Sequence, residues 1–167
     1  VISLVLSKFV YNKNLLIATI TNGRFDFNQE KTIAMMVKTL PLALEINSDY
    51  SIREFYDYIN GQWLDVLANS SYPLTRISDD FDITPEILYA YHGRIIEDIH
   101  MDEMTLKRES IGDSGVKFKI TINVEEEDDG YNINCEYNDQ LYSDEYIQTF
   151  LKSLQIVLKK DLMMKYN

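Results

Sequence analysis

VKFKITINVEEEDDGYNINCEYN, residues 116–138, carries the strongest periodic signal in the chain. Val116, Phe118, Ile120, Ile122 and Val124 alternate with Lys117, Lys119, Thr121 and Asn123. The alternation resumes at Tyr131, Ile133, Cys135 and Tyr137. A period of two sends successive side chains to opposite faces of a strand. Two such runs split by an acidic turn ending in Gly130 predict an antiparallel hairpin with one buried and one wet face. The acidic run from Glu125 to Asp129 reads as a solvated tip, because a calcium loop needs ligands at fixed alternate positions.

Elements on both sides extend this pattern. Upstream, Val1 to Val10 is an apolar helix with no capping residue before it. That opening leads us to expect a piece cut from a longer protein. Leu15 to Ile20 is a short buried strand, and Thr21-Asn22-Gly23-Arg24 marks a turn. Residues 25–39 are ambiguous: Ile33, Met36, Val37 and Leu40 fit helical spacing, but a turn fits as well. Leu40, Leu42, Leu44 and Ile46 alternate as a strand, with Pro41 suited to its start or to an edge. Ser51 and Glu54 form a capping box ahead of Ile52, Phe55, Tyr56, Ile59, Trp63, Val66 and Leu67 at helical steps. Gly61 inside that helix costs roughly 1 kcal/mol against Ala, which suggests that another element packs close to it. Asn69, Ser70 and Ser71 end the helix. Glu86 to Tyr91 is a strand, and Met104 to Arg108 is a candidate strand. Downstream, Ser143 caps a helix with the apolar stripe Ile147, Phe150, Leu151, Leu154, Val157, Leu158 and Leu162. The order is roughly αβ(turn)βαβββα. That is α/β of the α+β kind, a mixed sheet with helices mainly on one face.

The 167 residues are enough for one domain or one lobe of something larger, and 46% apolar with 26% charged is a globular composition. The net charge of −11 repels phosphate backbones, so no nucleic-acid partner is expected. No apolar run approaches a membrane span, so no membrane partner is expected either. The single Cys135 excludes an internal disulfide and points to a reducing, cytoplasmic setting. Its place on the inward side of the hairpin makes it an inert thiol.

Chemistry-bearing motifs are scarce. His92 and His100 lack a Cys or second His at ligand spacing, so no metal site is expected. His92 stands at a strand end beside Gly93, where either a surface role or a site role fits. No phosphate-binding glycine loop and no nucleophile elbow occurs. The twelve tyrosines are spread over helices and strands and suit packing.

The stretch from Leu15 through Ile46 resembles the C-terminal half of the condensation domains of nonribosomal peptide synthetases. In that family a strand leads into a Gly-Arg pair, here Gly23-Arg24. About ten residues later comes Ile-Gly-x-Phe-Val-Asn-Thr-Leu-Pro-Leu, here Ile33-Ala34-Met35-Met36-Val37-Lys38-Thr39-Leu40-Pro41-Leu42. Tyr72-Pro73-Leu74 is similar to the family's next signature, and the closing hairpin and helix also correspond. The resemblance covers nearly all of residues 1–167. It implies a single C-terminal lobe of chloramphenicol-acetyltransferase-like fold, one of two lobes with a reaction tunnel between them. There a thioester-bound acyl or peptidyl donor is joined to the amine of a carrier-bound aminoacyl acceptor.

Two departures stand out. Ala34 replaces the family's Gly, and Lys38 replaces an Asn that faces the reaction channel in the family. The resemblance therefore makes Lys38 the tunnel-facing candidate, while Gly23, Arg24, Thr39, Leu40, Pro41 and Leu42 are structural. The family's His-His-x-x-x-Asp-Gly motif belongs to the other lobe and is absent here. No catalytic residue is expected in this stretch, and the chain alone is expected to be inactive. Implied partners are an N-terminal condensation lobe, peptidyl carrier domains and an adjacent adenylation domain. No directly bound cofactor is implied, only the phosphopantetheine on the carriers. Epimerisation and cyclisation variants share this lobe. Two further readings stay open: a lobe of another CoA- or thioester-dependent acyltransferase, and a non-catalytic carrier-protein interaction domain.

Overall fold

Alternating β-branched and aromatic residues build the centre of the molecule, and amphipathic segments cover it. A computed structural model describes residues 1–24, 26, 29, 31–94, 99–101, 104–106, 117–128 and 130–165. The elements run α1 (Ile2–Phe9), β1 (Asn14–Thr21), β2 (Lys38–Glu45), α2 (Ile52–Ala68), α3 (Leu74–Phe81), β3 (Ile87–Arg94), β4 (Ile99–Met101), β5 (Met104–Leu106), β6 (Ile120–Glu127), β7 (Gly130–Tyr137) and α4 (Asp144–Lys165). Five strands form one sheet in the order β2-β1-β3-β6-β7. The contacts of β3 with β1 and β6 are parallel, while the outer pairs β1–β2 and β6–β7 are antiparallel. β4 and β5 pair with each other as a separate ribbon.

Register gives the sheet two unlike faces. Ile17 lies opposite both Leu42 and Ile87, Tyr89 opposite Ile122, and Val124 opposite Ile133. These residues share the inner face. Val5 and Leu6 from α1, Phe55 from α2, and Ile147, Phe150 and Leu154 from α4 pack into the same core as Ile17, Leu44 and Ile122. All three helices therefore close one side, and each fully buried aliphatic there contributes about 1.5–3 kcal/mol. Phe9 of α1 meets Tyr146 and Phe150 of α4 edge-to-face, at 5.4 Å between ring centres in both pairs.

The helix ends follow local chemistry. Glu54 N donates to Ser51 Oγ at 3.3 Å and Ser51 N donates to Glu54 Oε2 at 2.8 Å, closing the capping box. The Ser51 hydroxyl and amide hold the Glu54 carboxyl below its ordinary pKa. Tyr146 N donates to Ser143 Oγ at 3.2 Å, so Ser143 caps α4.

Several expectations need correction. Helix α3 has no counterpart in the sequence reading. Pro73 occupies its cap position with no side-chain cap, and the helix is only eight residues long, so the sequence reading passes over its short stripe of Leu74, Ile77 and Phe81. Gly61 has nothing within 4 Å of where a Cβ would sit, so no packed neighbour explains it. The first arm of the closing hairpin begins at Ile120, not before Phe118. On its expected wet face Thr121 is buried, because β6 is flanked by β3 and β7. Cys135 is half-buried, not fully enclosed. Ile33 is fully exposed, so the helical spacing at 33–40 does not correspond to a buried helix face. Pro41 sits in the middle of an edge strand, where a missing ladder donor is tolerated. Val116, Lys107, Arg108 and Asp129 lie outside the described residues, as does the side chain of Leu162. No helix among the described residues is long and apolar enough to cross a membrane.

Candidate functional site

The Gly-Arg pair and the segment leading into β2 come together at one end of the sheet. β1 ends at Thr21, and the Asn22 side chain accepts a hydrogen bond from Arg24 N at 3.0 Å. Gly23 has φ +67, and a Cβ there would lie 1.9 Å from the carbonyl oxygen of Met36. Only glycine meets both demands. Arg24 then spreads its guanidinium over the facing loop. Nη1 donates to the carbonyls of Gln29 and Thr32, the latter at 2.8 Å, and Nη2 donates to the carbonyl of Ala34 at 3.1 Å. Met36 Sδ lies 3.4 Å from Nη1. A planar fork suits several carbonyls at once, which an ammonium would not match. These bonds hold the loop in place while Ile33, Met35 and Val37 point outward with 104, 90 and 53% exposure.

β2 continues from this clamp. Thr39, Leu40, Pro41 and Leu42 pair with Ile20, Thr19, Ala18 and Ile17 of β1. Leu40 is buried, and the other three are half-buried. Leu42 also lines an apolar cavity of about 430 Å³ beside the start of α1, with Ile2, Tyr89 and Leu158.

Lys38 opens β2 and is half-buried. Its Nζ donates to the Ser70 carbonyl in the α2–α3 connection at 3.2 Å. Lys38 faces a cleft of about 650 Å³, lined also by Thr39, Tyr72, Thr75 and Lys117. Tyr72 donates to Asp80 across the mouth of α3, and that carboxylate raises the phenol pKa. The clamp and the cleft thus adjoin through the short path from Met36 to Lys38.

His92 stands elsewhere, on the outer face. The β3–β6 register shifts between Tyr91 and Gly93, so His92 is the extra residue of a bulge, and Gly93 has φ +66. His92 Nε2 lies 3.1 Å from Asn123 Oδ1, and Asn123 Nδ2 donates to Glu136 Oε1 at 3.1 Å. The side chain of His100 lies outside the described ones. Burial, then Glu136, raises the Cys135 thiol to about 11, which leaves almost no thiolate at neutral pH. Among the described residues, no group of three His, Cys, Asp or Glu could hold a metal ion.

Comparison with known proteins assigns this arrangement to a family. The condensation-domain family model matches residues 1–163. The chain is 22% identical over 147 residues to surfactin synthase subunit 1 of Bacillus subtilis (strain 168), covering 82% of this chain and 4% of that protein. It is 20% identical over 163 residues to bacitracin synthase 1 of Bacillus licheniformis, covering 93% of this chain and 3% of that protein. The chain therefore spans only a small part of the relatives it matches. Among solved structures, a holo four-domain nonribosomal peptide synthetase bound to AMP and glycine superposes with TM-score 0.78 at 20% identity, over 95% of this chain and 14% of that one. The epimerization domain from the third module of tyrocidine synthetase B gives TM-score 0.69 at 16% identity, over 92% of this chain and 38% of that one. The one-sided mixed sheet is thus the chloramphenicol-acetyltransferase-like fold of condensation domains, and the chain belongs to the condensation-domain family.

Proposed function

We propose that this chain is the C-terminal lobe of a nonribosomal peptide synthetase condensation domain. It walls one side of a tunnel in which a thioester-bound acyl or peptidyl donor meets the amine of a carrier-bound aminoacyl acceptor. The family match over residues 1–163 carries this reading. The sequence supports the choice of lobe, because its two histidines are not adjacent and the paired-His motif is absent. The proton-handling or charge-positioning His then comes from an N-terminal lobe, and this chain supplies no catalytic residue. Phosphopantetheine arrives on peptidyl carrier domains, and the lobe binds no cofactor of its own. An adenylation domain supplies the acceptor amino acid to its carrier.

In this reading Gly23 and Arg24 shape the loop before β2, and Lys38 stands at the tunnel wall. The half-buried ammonium beside a cleft supports that placement. The test is Lys38→Asn, the residue usual in the family, in the complete condensation domain with donor and acceptor on carriers. We expect the acceptor KM or the rate to change by about threefold or more, the scale of one hydrogen bond. Unaltered kinetics with every acceptor would remove Lys38 from the tunnel.

A further inference from the structure

The helices do not fill the inner face of the sheet completely. Between them lies the cavity of about 430 Å³ that Leu42 lines. Its floor is Ile17, Leu42, Val124 and Ile133, one residue from each of four strands. Its walls are Ile2 of α1, Ile59 of α2 and Leu158 of α4. Ile2, Leu42, Ile59, Ile133 and Leu158 pack against the core and are nevertheless only half-buried. Protein interiors leave few voids larger than a water molecule, whereas ligand pockets occupy roughly 300–1,000 Å³. The cavity has a closed and an open side. Ile17, Leu44 and Val124 are buried, while Tyr91 and Tyr131 are 47 and 63% exposed and mark the mouth.

The chemistry of the lining selects the ligand. No lining side chain carries a charge. Tyr91 has already committed its hydroxyl to Glu126 Oε2 at 2.9 Å. Among the described residues no buried side-chain nitrogen or oxygen lacks a hydrogen bond, so the closed side offers nothing for ordered water to bridge. An apolar cavity of about 150 Å³ holds benzene, so this one has room for on the order of ten carbons. We propose that the cavity binds an uncharged aliphatic chain of about eight to ten carbons, with its hydrocarbon inside and one polar end at the mouth. The inference is independent of the proposed lobe function, because the cavity shares no lining residue with the Lys38 cleft.

The test titrates the 167-residue chain with hexanol, octanol and octanediol, which has a hydroxyl at each end, and follows the isoleucine methyl spectra. Octanol should shift the methyls of Ile17, Ile59 and Ile133 saturably. Hexanol should bind about fifteenfold more weakly, the effect of two missing CH₂ groups. Octanediol should bind about tenfold more weakly, because its second hydroxyl is buried without a partner. Ile59→Trp and Ile133→Trp fill the cavity and should each abolish the saturable shift. Ile156→Trp, on the exposed side of α4, should leave it unaltered. Unchanged backbone amide spectra certify folding, and either filling variant that folds is sufficient. No saturable shift with octanol would overturn the proposal. So would equal binding of hexanol and octanol, or full binding by a folded filling variant. An octanol affinity that falls as the chain concentration rises would also overturn it, because a second copy would then cover the cavity.

Discussion

The two faces of the one sheet are built on opposite rules. The inner face is mainly apolar and is closed by α1, α2 and α4, with Ile122 at 0% exposure and Leu154 at 1%. The outer face is small and apolar on one side and polar on the other, and its ordering rests on specific hydrogen bonds such as His92–Asn123–Glu136. The inner face is therefore held by burial of large side chains, whereas the outer face buries small ones, Ala18 and Ala90, and adds directional contacts that contribute about 1 kcal/mol each. Stability should track the inner face.

The largest expected effect tests the inner face. Ile122→Ala should cost about 3–4 kcal/mol in a denaturant titration, through lost burial and a residual cavity. Asn134→Ala, on the exposed outer face of β7, should stay within about 0.5 kcal/mol. Similar losses at the two positions would break the comparison.

The clamp before β2 sharpens it, because it is a second place where directional contacts hold backbone. Gly23→Ala should cost about 3 kcal/mol, since a positive φ and a backbone clash add together. Gly61→Ala should do the reverse and stabilise by about 0.5–1 kcal/mol, because nothing stands near that Cβ in an exposed helix interior. A destabilised Gly61→Ala would mean that a neighbour approaches α2 after all. Arg24→Ala should cost about 2 kcal/mol by leaving the carbonyls of Gln29, Thr32 and Ala34 without their common donor. Arg24→Lys should recover less than half of that, because one ammonium cannot serve the fork geometry. An unchanged melting temperature in Arg24→Ala would show that the clamp is not structural.

How far the sequence exposes this architecture depends on which rule governs a segment. Where burial governs, period is visible: the hairpin arms, the β2 alternation and the α2 and α4 stripes all follow it. Where directional bonds govern, it is not. Residues 31–37 follow the reach of Arg24 across eight to ten positions, and no local pattern encodes such a reach. Helix α3 spans only about two turns and has no side-chain cap, so its stripe of Leu74, Ile77 and Phe81 is too short to stand out. The bulge at His92 depends on the register between β3 and β6, a relation between segments and not within one. At the candidate site, Gly23 and Arg24 stand out as a turn, but the Ser70 partner of Lys38 lies 32 residues away and leaves no sequence signal.

Under the proposed function, the chain is one lobe that shapes a reaction it cannot perform alone. The direct measurement is peptide-bond formation from an acyl thioester donor and an aminoacyl acceptor, both on carrier domains. The 167-residue chain should be compared with the same chain joined to an N-terminal lobe bearing the paired-His motif. The account predicts no turnover above background for the chain by itself and measurable turnover for the joined lobes. Turnover by the isolated chain would contradict it.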